Sequence, residues 1–161
     1  MLYTRRSSAS RGADGHGLER SARTNRAAGS ENAPMLFDHI DMRVGDLAKV
    51  RPLLDPLLSA MGYSEFNIDD GSIGYHQPGE DGTRPFLWVI ENTQHAPGLS
   101  RIAFAAATRS DVDRLASIAQ AAGARAFEAP HIASEYGPFY YAAFFEDAEG
   151  NKYEICCRKR S

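Results

Sequence analysis

The 161-residue sequence has two cysteines, one tryptophan, and no apolar run approaching the roughly 18 residues needed to cross a bilayer. A membrane-spanning segment is therefore not expected. The two cysteines, Cys156 and Cys157, are adjacent. Neighbouring residues of a strand point to opposite faces, so a bridge between them would be strained. Both read as reduced thiols of a cytoplasmic protein, and their spacing is not the C-x-x-C that zinc or redox chemistry uses. Also lacking is a basic surface. The net charge is −3, but the first 34 residues hold six arginines against three acids, which leaves −6 on the remainder. An acidic body is a poor match for phosphate backbones, so nucleic acid is not an expected partner.

Residues 1–34 are rich in Ser, Ala, Gly and Arg and poor in large apolar side chains. Such a segment cannot bury enough surface to offset the entropy of ordering, and is expected to be a disordered tail. An organelle transit peptide is the alternative, but the segment contains Asp14, Glu19 and Glu31 and no apolar helical stripe. Upstream or vector sequence, with Met35 as the functional start, is preferred. Residues 35–161 are then one domain, a length that suits a single compact unit.

From Leu36 the pattern changes. "LFDHIDMRV" alternates, with Ile40, Met42 and Val44 on one face and His39, Asp41 and Arg43 on the other, as a half-buried strand does. Leu47, Val50, Leu54, Leu57, Leu58 and Met61 follow at helical spacing, with Asp46 as N-cap and Gly62 as the stop. Pro52 and Pro56 predict a break or kink, or a helix that starts only near Pro52. Extended pieces are expected around residues 63–68, 73–77 and 85–90, separated by the turns "DDGS" and "PGEDG". The second half repeats the order. It has a strand at "SRIAFAAA", a helix over about 110–122 with Thr108 and Asp111 as a capping box, and strands near 125–128, 139–145 and 151–158. Ile40 aligns with Ile102 and Gly62 with Gly123, so an internal duplication of a βαβββ unit is the economical reading. The fold class is α+β, with modules at about 36–91 and 100–158.

The segments "FDHIDMRVGDL", "RIAFAAATRSDVDRLASIAQAAGA" and "EYGPFYYAAFFEDAEGNKYEICC" resemble the vicinal oxygen chelate superfamily, which includes glyoxalase I, extradiol dioxygenases and bleomycin- and fosfomycin-resistance proteins. The resemblance implies two paired βαβββ modules forming an open, cup-shaped mixed sheet with helices outside. It also implies metal ligands pointing inward from the first strand of each unit and the last strand of the second. Carried over position by position, these are His39, Arg101 and Glu154.

Arginine offers no lone pair to a metal, so a site of His39 and Glu154 alone is poor. Strand parity puts Arg101 and Glu154 on one inner face, where a guanidinium could stand in the metal's place and pair with the carboxylate. The expected function is a glyoxalase/bleomycin-resistance/dioxygenase-like protein with a small-molecule pocket, a degenerate metal site and no cofactor. The alternative is an active lyase of the lactoylglutathione type, or a dioxygenase, using a divalent Fe, Mn, Ni or Zn ion. Glu154, Arg101 and His39 are the candidate catalytic residues. Trp88, Tyr140, Tyr141, His131 and Arg43 are candidates to line the ligand site, with Tyr140 and Tyr141 as an aromatic wall and His131 on a rim loop. Cys156 reads as a small inward-facing residue, and His76 and His95 as exposed. The chain is expected to be a homodimer that binds a small molecule.

Overall fold

The computed structural model describes residues 37–77 and 86–160. The expected N-terminal tail and the "PGEDG" turn lie outside these residues. In the first module, β1 (His39–Val44) leads into α1 (Leu47–Ala60), then β2 (Ser64–Asp69), β3 (Ser72–His76) and β4 (Phe86–Glu91). The second repeats it with β5 (Arg101–Ala105), α2 (Arg109–Ala121), β6 (Arg125–Ile132), a one-turn 3-10 helix at Ser134–Tyr136, β7 (Tyr141–Glu146) and β8 (Lys152–Cys157). Each module makes a four-stranded mixed sheet, in the orders β1-β4-β3-β2 and β5-β8-β7-β6. The first strand of each runs parallel to the last, His39 opposite Phe86 and Arg101 opposite Lys152, and the other pairings are antiparallel.

Period-2 alternation decides what each sheet face does. Val44, Leu87, Val89, Tyr153, Ile155 and Cys157 point toward the helices, where they meet Val50, Leu53, Leu54, Leu57 and Leu58 of α1 and Val112, Leu115, Ala116 and Ala119 of α2 in one core. The other face carries His39, Asp41, Arg43, Arg101, Glu154 and Cys156. Both helices are followed by glycines with positive φ, Gly62 at 86° and Gly123 at 88°, where a side chain would be strained. These two glycines close the duplicated helices as the sequence predicts.

The expectation of a broken α1 is corrected, since the helix runs from Leu47 to Ala60 with both prolines inside. Pro52 and Pro56 are exposed, one turn apart on the face opposite the buried leucines. The carbonyls of Ala48 and Pro52 that lose an amide partner therefore lie on the solvent side, where water can satisfy them. The α2 cap forms as expected, Thr108 Oγ1 accepting from the Asp111 amide at 3.1 Å.

One polar contact joins the two modules, and a second fixes the linker between them to the second module. The Gly45 amide donates to Glu149 Oε2 at 2.7 Å, and a Cβ at position 45 would come within 2.9 Å of that carboxylate. His95, expected to be exposed, is half-buried with Nε2 3.0 Å from Asn151 Oδ1. Among the described residues no helix is long and apolar enough to cross a membrane.

Candidate functional site

The inner face of the second sheet gathers a compact polar group. Glu154 is the third residue of β8 and is almost fully buried. Its Oε1 accepts from the Tyr140 hydroxyl, and its Oε2 lies 3.6 Å from Nη1 of Arg101, the first residue of the neighbouring β5. The Arg101 guanidinium rests 4.6 Å above the ring of Phe144, which stands opposite Glu154 in the β7–β8 ladder. Arg101 is thus held from below by an aromatic face and from one side by a carboxylate. Among the described residues it makes no hydrogen bond, and its side chain keeps 37% of its surface exposed.

Aromatic rings surround this pair. Tyr136 lies 5.3 Å from Tyr140 and 6.2 Å from Phe144, and His131 lies 5.9 Å from Phe144. Ala133, Tyr140, Ala142 and Phe144 form a small second core, against which Cys156 packs. Burial pushes the Tyr140 phenol well above its ordinary value, and the neighbouring Cys156 and Glu154 push it further in the same direction. Tyr140 therefore stays protonated and donates to the carboxylate. Burial also raises the Cys156 thiol, so that position offers a thiol rather than a thiolate nucleophile.

The other expected site residues lie elsewhere. His39 opens β1, stacked on Phe86 at 5.0 Å with an interplanar angle of 9°, and its Nδ1 is 2.8 Å from Asp38 Oδ1. That hydrogen bond to Asp38 raises the imidazole pKa. No hydrogen bond or ion pair joins His39 to Arg101 or Glu154 among the described residues. Trp88 is on the inner face of the first sheet, opposite Asp41 and Gly74, with its ring edge-on to Phe86 at 6.0 Å. Arg43 lines a cleft of about 420 Å³ with His95, Ser100 and Lys152.

Two expectations are corrected. Tyr141 does not form a wall with Tyr140: it begins β7 one residue on, turns to the helix face and donates to Asp113 of α2 at 2.7 Å. His131 is not on a rim loop, because β6 continues to Ile132 and places His131 opposite Ala142. Pro130 is tolerated within β6 because that strand is the sheet's edge and needs no donor on one side. Sequence reading missed Phe144 and Tyr136. The only signal for Phe144 was its even spacing from Ala142 along β7.

The residues present do not fit a divalent ion. Arg101 has no lone pair, Glu154 is engaged by a phenol and a guanidinium, and His39 is held by Asp38. Among the described residues no three of His, Cys, Asp and Glu gather as ligands.

No protein-family model and no curated protein matches the chain. Solved structures do. A glyoxalase/bleomycin resistance protein from Albidiferax ferrireducens T118 is 22% identical over 78% of this chain and 100% of its own, with a TM-score of 0.63. A glyoxylase/bleomycin resistance protein/dioxygenase domain from Frankia sp. EAN1pec is 21% identical over 79% and 100%, with a TM-score of 0.55. A variant of the fosfomycin resistance protein FosX from Listeria monocytogenes, solved with Mn(II) and 1S,2S-dihydroxypropylphosphonic acid, is 16% identical over 76% and 90%, with a TM-score of 0.56. The described chain shares the paired βαβββ fold of these structures.

Proposed function

We propose that this chain binds a small anionic molecule on the inner face of its second module, with Arg101 supplying the positive charge that a divalent ion supplies in metal-dependent proteins of this fold. The observation that carries the reading is the Arg101 guanidinium itself. It is oriented by Phe144 and Glu154, has no hydrogen-bond acceptor among the described residues, and is part-exposed on a face lined by aromatics. A planar fork of N–H donors fixed in this way matches a carboxylate, enolate or phosphonate oxygen pair. If the bound molecule reacts, the same cation would stabilise a developing oxyanion without reorganising. Tyr140 and Glu154 would then position Arg101 and form the wall beside the ligand.

Fold neighbours named for bleomycin and fosfomycin resistance support a small-molecule ligand. The acidic body argues against nucleic acid. A homodimer is a further part of the same proposal. The test is calorimetric titration with propylphosphonate and benzoate into the wild type and Arg101→Ala. The expected loss is about tenfold or more for a charge-assisted hydrogen-bonded pair. Equal affinity in the two proteins would end this reading.

A further inference from the structure

The Arg101 reading leaves a second cation of the same module without a role. Arg158 directly follows β8, and its guanidinium lies 4.4 Å from the centre of the Tyr140 ring. Tyr140 is also the residue whose hydroxyl donates to Glu154. One phenol therefore touches the carboxylate that orients Arg101 and carries another guanidinium on its face. Cys156 packs against the cluster of Tyr140 and Phe144, and its thiol is within electrostatic reach of both Glu154 and Arg158. The two guanidiniums are seated alike, Arg101 on Phe144 and Arg158 on Tyr140. The Tyr136 ring lies beside both of those rings, so a single aromatic group underlies the two cations.

They differ in counter-charge. Arg101 has Glu154, whereas Arg158 makes no ion pair or hydrogen bond among the described residues, and Glu135 of the adjoining 3-10 helix does not pair with it. Arg158 is exposed and lines, with Tyr136 and Tyr140, a cleft of about 250 Å³. Glu154 precedes it by four residues, roughly 13 Å along an extended chain. That is farther than a single carboxylate or phosphonate group spans. We propose that the ligand of the Arg101 site is an elongated dianion, with one acidic end on Arg101, the other on Arg158 and an apolar middle against Tyr136 and Tyr140. This inference rests on the Arg101 reading and adds to it the length and charge of the bound molecule. Two fixed guanidiniums favour two planar acidic groups, and the rings between them favour a middle without charge.

The test compares acids that differ by one carboxylate, suberate with octanoate and sebacate with decanoate, titrated calorimetrically into the full chain. Benzoate reports on Arg101 alone. The variants are Arg101→Ala and Arg158→Gln; the second lies on the surface after the last strand, and a thermal melt checks that it folds. At least one diacid should bind the wild type about fivefold or more tightly than its monoacid, the gain of one charge-assisted contact partly screened by water. In Arg158→Gln that preference should fall below about twofold, with benzoate and monoacid affinities unchanged. Arg101→Ala should weaken every probe. Benzoate binding that depends on Arg101, with no gain for either diacid, would overturn this inference and leave the Arg101 reading standing. A diacid preference that survives Arg158→Gln would overturn it as well, and absence of binding by every probe would overturn both.

Discussion

The two modules share a backbone plan and differ in what their inner faces carry. His39 and Arg101 each open the first strand of a module, and Trp88 and Glu154 are each the third residue of its last strand. In the first module this yields rings, with His39 stacked on Phe86 and Trp88 edge-on to the same ring. In the second it yields a buried carboxylate, a phenol and a guanidinium. Duplication has fixed the positions that face inward while leaving their chemistry independent. The anion-binding capacity proposed here therefore belongs to one module.

The turns that enter the last strand of one module and the third strand of the other sharpen this contrast. Asp147 is fully buried and accepts from the amides of Glu149 and Asn151, from Asn151 Nδ2 at 2.8 Å and from the Tyr153 hydroxyl at 3.0 Å. Asp69, in the first module, is exposed and accepts from the Gly71 amide and the Ser72 hydroxyl. Asp147→Ala should therefore cost about 3 kcal/mol of unfolding free energy, because several buried donors lose their acceptor together. Asp69→Ala should cost much less, since water replaces the lost carboxylate. Urea unfolding of the two variants checks the ranking, and equal losses would mean that the second module's turn is not the stronger one.

A smaller effect concerns tyrosines. Burial raises the phenol pKa of Tyr75 in the first module and of Tyr140 and Tyr153 in the second, and Asp55, Glu154 and Asp147 respectively add to the shift. A raised pKa favours the neutral phenol in the folded chain. Its contribution to stability is complete below the ordinary value near 10 and is lost as pH climbs beyond it, when the unfolded chain releases its protons first. Of the seven tyrosines, these three should not ionise until the protein unfolds. Absorbance at alkaline pH, followed alongside circular dichroism, checks this, and early ionisation of all seven would contradict the burial described.

Much of the fold was legible because period and punctuation agreed. Alternation in "HIDMRV" and "KYEICC" put the correct residues on each face, and Gly62 and Gly123 marked both helix ends. Pro52 and Pro56 misled because local propensity cannot anticipate that five buried residues of α1 outweigh two missing hydrogen bonds on its wet side. At the site, the family resemblance named Arg101 and Glu154 and strand parity put them on one face, where they do meet. It did not reveal that Tyr140 would reach Glu154 from outside β7, nor that His39 would bind its own neighbour Asp38. Those depend on how the chain approaches a strand, which spacing does not encode.

If Arg101 stands where other proteins of this fold hold a cation, titration with Mn(II) of protein purified without chelator or metal-affinity tag will show it. The expected result is no stoichiometric binding to the wild type. One ion per chain, lost on His39→Ala, would show that the site accepts a metal despite Arg101 and would contradict the claim.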